Sequence, residues 1–187
     1  VGRRRICAPS VTDLISHKTR DNPMRHPSLP PLHSPFAPGA PVRSLQDVER
    51  LEARPLAEAL PVQSTYEIFV NAAAAFGDKT ALSFLPTADP SAEPIRWSYA
   101  QLLTGIHQTA NLLHHLGVGP ADAVAVLLPG CLEYHLALWG GEAAGIVQPL
   151  NPMLTDEKIA AMMGLARAKV LIAYGGEGDL GYWSKAL

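Results

Sequence analysis

The sequence predicts an α/β fold in which an antiparallel hairpin precedes a βαβαβ parallel sheet with flanking helices. Three observations carry that prediction. Residues 81–85 and 95–97 are short apolar runs separated by a polar, proline-containing turn, the pattern of two antiparallel strands. From Ala123 onward, apolar runs alternate with helical periodicity, which is the signature of parallel strands joined by crossover helices. The run Ala123–Leu128 is apolar at every position, as expected of a strand covered on both faces.

Each element has a local reason. Order is expected to begin near Ser44, because SLQDVERL places Leu45, Val48 and Leu51 on one helical face. A second helix starts at Ser64, where Ser64 and Glu67 have the spacing of a capping box. Tyr66, Phe69, Val70, Ala73 and Ala74 then mark a buried stripe, and Gly77 a stop. Ser98 and Gln101 cap the next helix, whose inner side carries Tyr99, Leu102, Leu103, Ile106, Ala110 and Leu113, with Gly117 at its end. Helix 131–144, strand 146–148, a helix capped by Thr155 with Ile159, Met162 and Met163 inward, and strand 170–174 complete the alternation.

The chain divides into residues 1–43, a disordered Pro/Arg-rich tail, and residues 44–187, an incomplete α/β domain. Eight of the 17 prolines lie in the first 41 residues, and HPSLPPLHSPFAPGAP has neither helical nor strand period. Such a segment buries too little to offset its ordering entropy. Its Pro27-to-Pro30 spacing is a P-x-x-P that could dock on an aromatic groove. The tail holds seven of the 15 Lys/Arg and two of the 17 acids, so the domain itself is acidic. It has no basic face for nucleic acid. Arg3, Arg4 and Arg5 lack the apolar stretch of a secretory signal, and no apolar run reaches the ~18 residues of a membrane span. Two cysteines, Cys7 and Cys131, make no disulfide framework and suit a reducing, cytoplasmic setting.

Candidate chemistry is sparse. KVLIAYGGEGDLGYW places Gly176, Gly178 and Gly181 at the G-x-G-x-x-G spacing of a dinucleotide site. The helix, second strand and distant acid that the site requires do not follow. Glu177 and Asp179 would each oppose a phosphate by about 1–4 kcal/mol at contact distance. Asp179 is better read as the N-cap of a helix through Tyr182, Trp183 and Leu187. Cys131 and His135 share a helix face and could supply two metal ligands, with no second pair to complete a site; a packed thiol beside a helical histidine is the plainer reading. His114 and His115 suit a helix C-terminus, Gly140 and Gly141 suit close helix packing, and Ser64, Ser98 and Thr155 are caps before they are nucleophiles.

Taken in order, GDKTALSFL, RWSYAQLL, ANLLHHLGVGPADAVAVLLPG, EYHLALWGGEAAGIVQPLNPMLTDEKI and ARAKVLIA resemble the N-terminal part of adenylate-forming enzymes, with AMP-forming acyl-CoA synthetases the nearest likeness. Gly130 and Ala121 depart from the residues such proteins often carry there, both at turns. Pro129, Glu133, Gly145, Asn151 and Pro152 fall at positions that read as architectural. The resemblance implies a parent enzyme that uses ATP with Mg2+ to adenylate a fatty or aryl carboxylic acid, then transfers the acyl group to CoA. The Ser/Thr/Gly-rich phosphate loop ending in Lys is not found in these residues, so the resemblance implies a piece truncated before that loop and inactive alone. It carries no catalytic, cofactor-binding or metal-binding residue onto this sequence. The competing expectations are a small non-catalytic α/β nucleotide-binding module and an interaction protein with a proline-rich tail.

Overall fold

The computed structural model describes residues 4–7, 42–59, 61–89, 91–175 and 181–186. In chain order the elements are strand β1 (Arg4–Cys7), helices α1 (Leu45–Glu52), α2 (Leu56–Ala59) and α3 (Thr65–Phe76), strands β2 (Thr80–Phe84) and β3 (Ile95–Ser98), and helix α4 (Tyr99–His115). There follow β4 (Ala123–Leu127), α5 (Leu132–Ala144), β5 (Ile146–Pro149), α6 (Asp156–Leu165), β6 (Val170–Ala173) and α7 (Tyr182–Ala186). β2 and β3 pair antiparallel, with an irregularity between Thr80 and Leu82. The other four strands form one parallel sheet in the order β1-β6-β4-β5.

The alternation of β4 decides which helices cover which face. Val124 and Val126 join Val170 and Ile172 against Ala110 and Leu113 of α4 and Ala137 and Ala144 of α5. Ala123, Ala125 and Leu127 join Leu171 and Ala173 against Ile159 and Met163 of α6 and Ala186 of α7. Every residue of β4 and β6 is buried. The step from β4 to β5 therefore crosses one face, and the return from β5 to β6, past β4, crosses the other. The two crossovers share one hand, as connections between parallel strands do.

The hairpin lies outside α4 and α5. Trp97, Leu102, Ile106, Leu132 and Leu136 form a separate cluster there, with Tyr66, Phe69, Leu82, Phe84 and Trp139 packed against it. Phe69 and Trp139 meet at a ring-centroid distance of 5.0 Å. Helix α5 comes close to α4 because glycines face the contact. A Cβ on Gly105 would meet Leu136 at 2.5 Å, and one on Gly140 would meet Thr109 at 2.5 Å. A Cβ on Gly141 would meet Val147 at 2.4 Å. The close-packing role expected of Gly140 and Gly141 is the one they have.

Helix ends follow the sequence with two exceptions. Ser98 and Gln101 exchange both capping bonds. Ser64 Oγ accepts from Glu67 N, but the Glu67 carboxylate reaches one residue further, to the Gln63 amide at 2.7 Å. Thr155 occupies the N-cap of α6, yet its hydroxyl makes no capping bond to the backbone. Helix α4 ends at Gly117 (φ 85°) in a paired motif: Val118 N donates to Leu113 O and Gly117 N to His114 O. Helix α6 ends in the same pair of bonds, but with Arg167 (φ 52°) in the left-handed position.

Two expectations need correction, for α3 and for the tail, and α1 adds a detail. The stripe of α3 is only half-buried, and Ala74 is exposed, because α3 is an outer layer covered on one side alone. Helix α1 forms, and Ser44 and Asp47 make a full capping box that the periodicity did not reveal. Its apolar side, however, is not buried: Leu45 is 73% and Leu51 59% exposed. The tail assigned to residues 1–43 is not wholly without structure, since Arg4–Cys7 pair with β6 in register from Arg4↔Val170 to Cys7↔Ala173. Among the described residues β1 is the strand that pairs with this edge of β6. Pro27, Pro30 and the rest of residues 8–41 lie outside the described residues.

The far edge of the sheet has its own feature. Ile146 N donates to Asp122 O and Leu150 N to Val126 O, so those residues turn toward β4. By strand alternation Val147 and Pro149 turn their backbone outward, and Pro149 has no N–H to offer.

Candidate functional site

In open parallel sheets, ligands bind beyond the carboxyl ends of the strands, where neighbouring strands send their connections to opposite faces. Here those neighbours are β4 and β6. The chain leaves β4 for α5 on one face and leaves β6 for α7 on the other. The crevice between Leu127–Cys131 and Ala173–Gly175 is therefore the candidate site. Tyr174 N donates to Leu127 O at 3.2 Å and closes its floor. The Tyr174 ring packs against the core on the α5 side, as Tyr134 does, and meets Tyr182 edge-on, with centroids 6.2 Å apart.

The connection after β5 is tied to α7. Asn151 Oδ1 accepts from Met153 N at 2.9 Å, folding the loop on itself. Lys185 of α7 donates from Nζ to Pro152 O at 2.6 Å and to Leu154 O at 2.9 Å. This clamp joins residues more than 30 positions apart, and no local signal in the sequence marks it. Asn151 and Pro152, read as architectural, are part of it.

The titratable groups at this end are quiet. Cys131 is the N-cap of α5 and half-buried, and its side chain makes no capping bond. Burial pushes its thiol up to about 11, with the Glu133 carboxylate acting in the same direction and the Tyr134 amide opposing. The thiolate that a nucleophile or a metal ligand requires is thus disfavoured. His135 is brought beside Tyr134, rings 6.0 Å apart and nearly perpendicular, and burial lowers its pKa, favouring the neutral imidazole. Cys131 and His135 share the first turns of α5, but among the described residues no three His, Cys, Asp or Glu gather to hold a metal.

The other candidates are dispersed. His114 Nδ1 bonds Val118 O at 3.0 Å, at the opposite end of the sheet. Ser64 and Ser98 are caps. Of the glycine fingerprint, Gly176 and Gly178 lie outside the described residues, as do Glu177 and Asp179. Gly181 (φ 87°) directly precedes α7. The described residues do not fit a triphosphate with Mg2+: no group of three His, Cys, Asp or Glu gathers among them, and Lys185 of the crevice already serves two carbonyls. Gln148 Oε1, a buried side-chain oxygen without a partner among the described residues, lies between β5 and α6, away from the crevice. Among the described residues no helix is long and apolar enough to cross a membrane.

The likenesses to known proteins agree with this architecture. Marinolic acid–CoA ligase of Pseudoalteromonas sp. (strain SANK 73390) is 32% identical over 83% of this chain and 25% of its own. Long-chain fatty acid transport protein 1 of Mus musculus is 47% identical over 44% of this chain and 13% of its own. The inhibitor-bound N-terminal domain of FACL13 from Mycobacterium tuberculosis superposes with a TM-score of 0.53 at 23% identity, over 63% of this chain and 28% of that domain. The chain thus spans a quarter or less of the length of these two curated relatives. Residues 69–184 match the family described as AMP-binding enzyme, and that stretch runs from α3 through α7. The chain belongs to the AMP-binding enzyme family, and its fold is that of part of the N-terminal domain of adenylate-forming enzymes.

Proposed function

We propose that this chain is the scaffold portion of an ATP-dependent acyl-CoA synthetase. In the whole enzyme, a carboxylate oxygen attacks the α-phosphorus of ATP and pyrophosphate leaves, giving an acyl-adenylate. The thiol of CoA then attacks the acyl carbon and AMP leaves, giving the thioester. Mg2+ would supply charge neutralisation at phosphorus in the first step, held by residues other than those described here. The acid is a fatty or aryl acid, and the setting is cytoplasmic. The observation that carries this reading is the likeness to a CoA ligase along 83% of the chain.

What these residues contribute is position. A sheet covered on both faces holds the mouth of the β4–β6 crevice rigid, and the Lys185 clamp fixes the adjoining loop. Catalysis that depends on holding reactants in place needs such a frame. The raised Cys131 thiol and the neutral-favouring His135 are in keeping with a positioning role.

Two preparations test this: residues 1–187 alone, and the complete reading frame that contains them. Isotope exchange between pyrophosphate and ATP is measured with a panel of fatty and aryl acids, followed by thioester formation on adding CoA. The complete protein is expected to show acid-dependent exchange and to release AMP, and the 187-residue chain to show neither. Acid-dependent release of ADP by the complete protein, or exchange by the short chain, would overturn the proposal.

A further inference from the structure

The connections that follow β5 and β6 leave the sheet on the same face. β5 leads to α6 and β6 to α7, and Ile159 and Met163 of α6 share a core cluster with Ala186 of α7. β4 lies between those two strands and sends its chain to the other face, to α5. The crevice at the end of β4 therefore has, on its α7 side, two stretches of chain that nothing in the strand pairing holds together. One side chain does. Lys185 Nζ donates to Pro152 O at 2.6 Å and to Leu154 O at 2.9 Å, across 33 and 31 residues of sequence.

The surroundings of this bridge are firm on both sides. Leu150, just before the bridged loop, and Ala186, beside the lysine, are buried in one cluster, and Leu154 and Tyr182 pack against it. Tyr182, one turn before Lys185 on α7, also meets Tyr174 at the end of β6. An apolar side chain could cover this surface as well as the methylene stem of a lysine does. What the ammonium adds is a pair of charge-assisted hydrogen bonds, which are shorter and stronger than neutral ones.

We propose that Lys185 is a positioning residue for the adenylation step. It holds the connections after β5 and β6 in one fixed relation at the carboxyl end of β4, so that the reacting groups meet in the attacking geometry. The inference rests on the acyl-CoA synthetase reading above, and goes further in tying turnover to one side chain of this chain. Releasing the bridge removes no contact to substrate, so binding is largely kept. The chemical step suffers, because a displacement of about 1 Å arising away from the reacting atoms can cost on the order of a hundred-fold in rate.

The test uses the complete protein that contains these residues, unsubstituted and as Lys185→Met and Lys185→Arg, in acid-dependent exchange between pyrophosphate and ATP. Methionine keeps the apolar stem and lacks the donors, whereas arginine keeps the charge and the donors. Lys185→Met is expected to lower kcat about ten-fold or more, with KM for ATP and for the acid within about three-fold of the parent. Lys185→Arg is expected to stay within about three-fold of the parent in kcat. An unchanged kcat in Lys185→Met, a loss confined to KM, or an equal loss in Lys185→Arg overturns the proposal. If Lys185→Met does not fold, as judged by far-UV circular dichroism, Lys185→Gln takes its place with the same expectations. Should that variant also fail to fold, Lys185 serves stability alone and the proposal is overturned. Absence of exchange in the unsubstituted complete protein is a separate result: it removes the acyl-CoA synthetase reading, and this inference falls with it.

Discussion

At Gly145 a single methyl group decides between fitting and not fitting. A Cβ there would lie 2.6 Å from Asp122 O and 2.9 Å from Gly119 O, both main-chain atoms that cannot swing away. Gly145→Ala is expected to cost about 1–3 kcal/mol, the range for forcing atoms into a filled space, read as a lowered urea midpoint. Gly164 is the contrast: it lies within α6 with nothing within 4 Å of a built Cβ. Gly164→Ala is expected to stabilise by about 0.5–1 kcal/mol through helix propensity. Equal effects of the two substitutions would show that backbone proximity is not what holds Gly145. Cys131 gives a second residue-scale prediction. With its thiol raised to about 11, alkylation by iodoacetamide at pH 8 in a Cys7→Ser background should be slow in the folded chain. It should speed up markedly on unfolding, where the thiol regains an ordinary pKa near 8.5. Equal rates folded and unfolded would contradict the burial argument. Side-chain chemistry of this kind was only half legible in the sequence. The i, i+4 spacing of Cys131 and His135 fixed their shared helix face, but the burial that quiets them depends on distant strands.

Helices and strands were legible where their signals are local. Ser98 with Gln101, Gly117, and the apolar run of β4 mark their own boundaries. What escaped was non-local or carried by backbone. β1 has no strand pattern in Arg-Arg-Ile-Cys and exists only through β6. Helix α2 is a single turn after Pro55. The order β6-β4-β5, and with it the crevice and the Lys185 clamp, depends on crossovers that no window of residues contains. The two helix termini of like geometry provide the test at this scale. Gly117 and Arg167 both adopt positive φ, but only glycine does so without a Cβ penalty of about 1 kcal/mol. Gly117→Ala is expected to destabilise by about 1 kcal/mol. Arg167→Gly should be neutral to stabilising by up to about 1 kcal/mol, since greater freedom of the unfolded chain offsets part of the relief. Thermal melts of the two variants check both signs, and a loss of stability in Arg167→Gly would mean that its side chain does more than tolerate the turn.

Across the whole molecule, the amino ends of the parallel strands are tied by one long-range pair. Lys169 Nζ lies 3.0 Å from Asp122 Oδ2 and also donates to Gly117 O, while Gly119 N donates to the same carboxylate at 2.8 Å. These partners, Lys169 first, hold the Asp122 carboxyl below the usual carboxylate range. A group depressed on folding stabilises above its unfolded pKa, near 4, and that stabilisation disappears as pH falls through the folded value. Asp122→Asn should therefore flatten the acid limb of the stability profile below about pH 4 relative to the parent. Parallel profiles would remove Asp122 from the account. The pair is solvent-exposed, so added salt should narrow the difference. At the other margin of the sheet, Pro149 turns an imino nitrogen outward where an amide would otherwise invite a partner. A foreign strand laid against that flank would miss one donor in the middle of its ladder, so the sheet is discouraged from lengthening there.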